Sequence, residues 1–195
     1  MKDGSTPLLW AAAFGQLTMV ELFLAHGADV NESDRVGRTA LIYAARKGLK
    51  GAVVQCLIKH GANLEARDMK FRSTALEWAA YKLIPNAVKV LVAAGAAVGT
   101  LNNRGQSALR LALEFHEESP DRLEITEVLL SAGADVSDAE FLFSEEQIVN
   151  NFTTVMLCVN HGAAVNGEFL EMTRQVMGEE KETQLREVLH KKVGL

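Results

Sequence analysis

Three of the five histidines, His26, His60 and His161, stand directly before a Gly-Ala pair. An imidazole can serve as a general base, a metal ligand or a hydrogen-bonding cap, and its neighbours decide which. These three are spread along the whole chain and lack the short spacing of a zinc set. Cys56 and Cys158 are single thiols on apolar helix faces, again without ligand spacing. They read as buried, reduced cysteines, which favours a reducing compartment, cytoplasm or nucleus. The carboxylate pairs Glu117-Glu118, Glu145-Glu146 and Glu179-Glu180 lie in polar stretches and read as solvated. The sequence holds no phosphate loop, no G-x-S-x-G and no H-E-x-x-H. The expectation is no catalytic site, no metal and no cofactor, hence not an enzyme.

Charge is the stronger signal. The chain has a net charge of −5, but its charges are segregated. Between Asp34 and Arg110 there are thirteen Lys and Arg against four Asp and Glu, whereas from Leu111 onward there are six against seventeen. Such a basic stretch attracts an acidic partner or is simply solvated. Few stacking aromatics accompany it, and the whole chain is acidic, which argues against nucleic acid.

The elements that carry these charges repeat. The Gly-Ala pairs that close each copy fall at 27, 61, 95, 133 and 162, steps of 34, 34, 38 and 29 residues. The clearest copy runs from Asp34 through Gly37, Thr39-Ala40-Leu41, Ala44-Ala45, Gly48, Val53-Val54 and Leu57-Ile58 to Gly61-Ala62-Asn63-Leu64. Before it come Thr6-Pro7-Leu8, Ala11-Ala12, Gly15 and Gly27-Ala28-Asp29-Val30-Asn31; after it, Thr74-Ala75-Leu76, Ala79-Ala80 and Gly95-Ala96, then Ser107-Ala108-Leu109, Ala112 and Gly133-Ala134-Asp135-Val136. The last copy keeps only its end, Gly162-Ala163-Ala164-Val165-Asn166. A Thr-Pro start suits a helix N-terminus, the Thr as cap and the Pro at the first helical position. Thr39, Thr74 and Ser107 repeat the cap.

With a T-P-L start and a period near thirty-three residues, the chain resembles the ankyrin-repeat family over about residues 3–166. The resemblance implies an all-α solenoid of helix-turn-helix units joined by β-turn fingers. Its units are 1–33, 34–67, 68–101, 102–139 and a degraded fifth, 140–166; residues 167–195 form a C-terminal helical cap of two amphipathic segments. Phe71, with one extra residue before Thr74, predicts an altered third finger. Leu83 stands where a turn glycine is expected, with Pro85 opening the next helix. The insertion Glu114–Arg122 is expected to extend the fourth first helix by a turn and add a polar loop. Trp10, Tyr43, Trp78 and Leu111 share one register and predict a buried ladder. The rival reading is an aromatic cage for a methylated lysine, with Glu77 beside Trp78. The histidines are expected to hydrogen-bond across the finger turns.

In that family the concave face is built from finger tips and the outer end of each first helix. Those slots here hold Phe14, Arg35, Arg38, Arg46, Lys47, Lys70, Arg72, Tyr81, Lys82 and Arg104, with Phe115 in the fourth unit. Arg and aromatic residues are favoured at interface hot spots. The resemblance thus implies a non-catalytic protein-protein interaction module that holds an acidic or phosphorylated protein segment. The acidic C-terminal part would also suit the basic patch of a second copy in a weak head-to-tail self-association. It further marks Asn31, in the Gly-Ala-Asp-Val-Asn run, as a hydroxylation candidate. The apolar start at Leu9, Trp10 and Phe23 suggests a scaffold or targeting fragment of a larger protein, a ligase adaptor or a host-directed effector. No run of eighteen apolar residues suggests a membrane span.

Overall fold

The computed structural model describes residues 4–47, 51–114, 118–142 and 144–193. Gly48 and Phe115 to Glu117 lie outside them, and so does the part of the insertion they carry. Four helix pairs come first: α1 (Pro7–Ala13) and α2 (Leu17–Ala25), α3 (Ala40–Lys47) and α4 (Gly51–Lys59), α5 (Ala75–Tyr81) and α6 (Pro85–Ala93), α7 (Ala108–Glu114) and α8 (Pro120–Ser131). A 3-10 segment (Val136–Leu142) leads to α9 (Glu145–Asn160), α10 (Gly167–Met177) and α11 (Glu179–Val193). The first helices pack as one row, α1 on α3 on α5 on α7, and the second helices as another, α2 on α4 on α6 on α8. α10 and α11 pack on each other and on α9.

Alanine makes the inner row possible. Ala11, Ala12, Ala44, Ala45, Ala79, Ala80 and Ala112 are all buried, so the backbones approach closely while keeping a strong helix former at each place. Leu41, Leu57, Leu76, Leu91, Leu109 and Leu129 fill the space between rows, each contributing about 2 kcal/mol of burial. The inner helices start on side-chain caps. Thr6, Thr39, Thr74 and Ser107 accept from the backbone N–H three residues on. Thr74 and Glu77 complete a reciprocal capping box.

Each finger is folded around one buried side chain. Asp34 Oδ1 accepts from Val36 N–H and Arg38 N–H, both at 2.9 Å. Asp68 Oδ1 accepts from Lys70 N–H and Phe71 N–H at 2.8 Å. Asn102 Oδ1 accepts from Arg104 N–H and Gln106 N–H at 2.8 and 3.0 Å. Neighbouring fingers are joined: Met69 N–H donates to Val36 O, Asn103 N–H to Phe71 O, both at 2.9 Å, and Arg67 Nη1 to Leu101 O at 2.7 Å. The turns after the outer helices are joined too. Asn63 N–H donates to Asn31 Oδ1 at 2.7 Å, Asn31 Nδ2 to Gly61 O at 3.2 Å, and Ala97 N–H to Glu65 Oε1 at 2.9 Å.

The third unit departs where the extra residue predicts. Gly37 and Gly105 turn their fingers with φ of 73° and 70°; Arg72 takes φ 56° for the same turn. Leu83 adopts φ 51° in the place of Gly15, at 66°. Left-handed backbone costs a residue with a Cβ about 1–2 kcal/mol, so this unit holds local strain in two places.

The turn expected to lengthen α7 (Ala108–Glu114) falls on Phe115 to Glu117, outside the described residues; beyond it Ser119 caps α8 and Pro120 opens it, giving that helix twelve residues. Two expectations change. The histidines do not bridge fingers: Nδ1 of His26, His60 and His161 meets the carbonyl of Leu22, Cys56 and Leu157, four residues back, at 2.8, 2.8 and 3.0 Å. Each ring adds a second hydrogen bond to a carbonyl of its own last helical turn, which already accepts from the backbone N–H of the same histidine. Glu118 is not merely solvated, since its Oε1 accepts from Thr154 N–H and Oγ1 at 2.8 and 3.0 Å. Cys56 and Cys158 are buried free thiols, and burial pushes Cys158 up to about 11.

Candidate concave site

The aromatic register is partly core and partly surface. Trp78 and Leu111 are buried at 7% and 6%, Tyr43 is half-buried, and Trp10 is 43% exposed. The ladder is therefore not buried at its first rung. Trp10 instead stacks on Phe14, ring centroids 5.5 Å apart and planes 10° from parallel. Polar anchoring follows the register. Tyr43 O–H donates to Asp34 Oδ2 at 2.7 Å and Trp78 Nε1–H to Asp68 Oδ2 at 2.8 Å. Each finger carboxylate thus holds its own finger with one oxygen and its first helix with the other. In the fourth unit Leu111 stands in place of the ring, and Asp is replaced by Asn102, whose Nδ2 donates to Gln106 Oε1 at 3.2 Å.

Two cavities open along the concave face. The first, about 280 Å³, has Phe71, Trp78 and Tyr81 as its aromatic surface, with Arg46, Lys82 and Arg104 around them. Trp78 meets Phe71 and Tyr81 edge-on, at 5.7 and 5.8 Å between centroids. Arg46 lies over Trp78 at 4.9 Å, Arg104 over Phe71 at 5.2 Å, Lys70 over Phe71 at 4.9 Å and Lys82 over Tyr81 at 4.9 Å. The second cavity, about 230 Å³, is lined by Leu9, Trp10, Phe14, Tyr43, Arg46 and Lys47 among others. Arg46 belongs to both.

The ring faces carry the chain's own cations, which leaves no cage for a methylated lysine. Glu77, the acid lining the first cavity, is fully buried and engaged on both oxygens, by Thr74 N–H at 3.3 Å and Thr100 Oγ1 at 2.9 Å. Burial raises its pKa above 4.5, against hydrogen bonds from Thr100, Ser73 and Thr74 and the nearby Arg67 that lower it. A carboxyl whose folded pKa is raised stabilises the fold most below the unfolded pKa. That contribution is lost as pH climbs through the folded value. Glu77→Gln keeps the capping acceptor and removes the titration. The stability of the variant relative to the wild type is expected to rise with pH above about 4.5. Urea midpoints at pH 4.5 and pH 8 measure it, and a constant difference between the two proteins would refute it.

Of the residues marked by the sequence, Arg46, Tyr81, Lys82 and Arg104 come together in the first cavity, and Phe14, Arg46 and Lys47 in the second. Arg38 stacks at 6.0 Å on Tyr43. Arg35 and Arg72 are exposed on the fingers and line neither cavity. Trp78, whose register predicts core, and Phe71, which the sequence marks only as a departure in the third finger, are further functional candidates. Asn31 is exposed, with both ends of its amide engaged to the next unit. Among the described residues, no ion pair involves Arg35, Arg38, Arg46, Lys47, Lys70, Arg72, Lys82 or Arg104. Bases elsewhere do pair: Lys89 with Glu124, Arg110 with Glu114, Arg174 with Glu179, Arg186 with Glu182. Nε of Arg38 and Nε of Arg46 are shielded from solvent and donate to no acceptor among the described residues. No group of three or more His, Cys, Asp or Glu among those residues could hold a metal ion, and no helix is long and apolar enough to cross a membrane.

A family model described as ankyrin repeats (3 copies) matches residues 1–68 and 50–140. Among curated proteins, the chain is 40% identical over 89 residues to the probable E3 ubiquitin-protein ligase XBOS33 of Oryza sativa subsp. japonica, covering 46% of this chain and 17% of that protein. It is 28% identical over 165 residues to Rabankyrin-5 of Homo sapiens, covering 84% of this chain and 13% of the relative. It is 30% identical over 143 residues to the palmitoyltransferase ZDHHC13 of Homo sapiens, covering 56% and 23%. The chain thus spans less than a quarter of the length of these relatives.

Proposed function

Because the chain belongs to the ankyrin-repeat family and such arrays are protein-protein interaction modules, we propose that its concave face binds an acidic or phosphorylated segment of a partner protein. The observation that carries this reading is the unmatched charge of the groove. Its bases have no carboxylate partner among the described residues, whereas four bases outside it, Lys89, Arg110, Arg174 and Arg186, are paired. Stacked guanidinium groups spend their faces on rings and keep their N–H edges for an oxyanion. The module itself would do no chemistry.

Reversal of Lys47, Lys82 and Arg104 to Glu tests this, since all three are surface side chains lining the cavities. A Glu-rich synthetic peptide is expected to bind the triple variant about 100-fold more weakly, with a flattened dependence on salt. Lys59→Glu, on the exposed end of α4, is the control and should leave binding unchanged. Equal affinity of the triple variant and the wild type would sink the proposal.

A second reading is favoured by the small share of its relatives that the chain spans. The array would recruit a target to an activity carried elsewhere in a longer polypeptide. Under both readings the groove is the recognition surface.

A further inference from the structure

Two cavities, one charged and one largely apolar, share the wall made by Arg46. We infer that the groove takes one extended peptide by two anchors four residues apart: a large apolar side chain against Trp10 and Phe14, and an oxyanion side chain, carboxylate or phosphate, in the Trp78 cavity. This rests on the concave face being the binding surface, and it adds the pattern that the surface reads.

The chemistry of each anchor follows from its walls. Trp10 and Phe14 are stacked and exposed at 43% and 59%. An exposed aromatic pair beside a cavity gains by covering itself with apolar surface. Around Trp78 the ring faces already hold Arg46, and Phe71 holds Arg104. A cationic side chain would have to displace them against like charge, whereas an anion meets their edges. Lys82 and Arg104 line that cavity with exposed side chains that are in no ion pair among the described residues, and such donors are what an incoming oxyanion meets. Glu77 does not oppose it, because both its oxygens are engaged within the fold.

The spacing follows from the helices. The apolar cavity lies between α1 and α3, and the charged one is centred on α5, so they are one and a half helix spacings apart, about 12–15 Å at the usual interaxial distance. An extended strand advances about 3.3 Å per residue, so four residues span the gap. Four is an even number, and in a strand only even separations put two side chains on the same face. Positions i and i+4 satisfy both conditions. Position i+3 spans only about 10 Å and falls short, position i+5 reaches far enough, and both point one anchor away.

The chain has two tryptophans, one in each cavity, so the two indole N–H resonances report the anchors separately. The experiment titrates the isotope-labelled full chain with Gly/Ser peptides carrying one Leu and one Glu at separations of two to six, and Trp10→Phe assigns the signals. The i,i+4 peptide is expected to shift both indoles with a single dissociation constant, about tenfold tighter than the i+3 and i+5 peptides. Phosphoserine in place of Glu identifies the preferred oxyanion, and either preference agrees with the inference. Trimethyllysine in its place should leave Trp78 unmoved; a shift would overturn the inference. Affinity independent of spacing, or two indoles titrating with different constants, would also overturn it. If Glu peptides move Trp78 while no Leu moves Trp10, the two-anchor pattern falls and the acidic-segment reading stands. If no peptide moves Trp78, both fall.

Discussion

In a Trp78→Leu background, exchanging Asp68 for Asn is expected to cost almost nothing, whereas in the wild type it costs about 2 kcal/mol. The reason is the double duty of the Asp68 carboxylate. It accepts two finger amides on Oδ1 and the Trp78 indole on Oδ2, and it has no exposure to solvent. Asn keeps one oxygen for the finger but turns an N–H toward the indole N–H, so two buried donors face each other. With Leu at 78 the indole is gone and the new amide can turn to a local acceptor. That pairing is already present in the fourth unit as Asn102 with Leu111. Trp78→Leu alone costs about 3 kcal/mol, because it opens space in the core and strips a partner from a buried carboxylate. The double variant should therefore be less destabilised than the sum of the singles by about 1–2 kcal/mol. Denaturant melts of the four proteins give the coupling. Strict additivity would mean that the finger and the ring are not linked through Asp68.

The second large effect sits at the far end of the array. Arg122→Ala is expected to cost about 3–5 kcal/mol. Its guanidinium is 1% exposed, and its Nη1 donates to Asn151 Oδ1 at 2.7 Å. Asn151 is where α9 breaks, with φ −132° and ψ 22°. Glu118, just before α8, holds Thr154 one turn further along α9. The start of α8 thus clamps α9 at its kink and about one turn beyond it. Burial lowers the Arg122 pKa, and Glu118 opposes that shift. Removing only the arginine leaves a hole and a carboxylate without its counter-charge. Arg122→Met combined with Glu118→Gln removes both charges, keeps the Thr154 acceptor and fills the hole, so it should recover most of the loss. Hydrogen exchange should show the Ala variant losing protection first in α9, α10 and α11. A double variant as unstable as Arg122→Ala would show that size and charge at 122 are not what the clamp depends on.

How much of this could be read from residues alone varies along the chain. The repeat, its caps and its alanine pairs are local patterns, and the helices follow them. Leu83 is legible as an odd residue in a glycine slot, because a turn demands one backbone conformation whatever its surroundings; in the third finger the sequence points to Phe71, and the left-handed residue is its neighbour Arg72. The histidines were misread, since a ring next to a turn can bond forward to a finger or back to its own helix, and only coordinates choose. The cavities were half-visible. Arg46, Lys82 and Arg104 stand out by charge, but Trp78 reads as core by its register and Phe71 only as an oddity of its finger. One further signal lies in the sequence: Asp34 with Tyr43, Asp68 with Trp78 and Asn102 with Leu111 change together, acid with a ring that donates, amide with an aliphatic side chain that cannot. Arg122 gave no sign, because a charged side chain in a polar insertion looks solvated until a second helix closes over it.

The bonds that run between fingers, and those that run between the turns behind the outer helices, lie on different parts of each unit. To open or narrow the groove, the array must change its curvature, which stretches one set of links against the other. Flexure is thereby resisted, and the gauge of the groove is fixed before any ligand arrives. The freedom lost on association then falls on the ligand, which must surrender its own disorder to match a ruler already drawn.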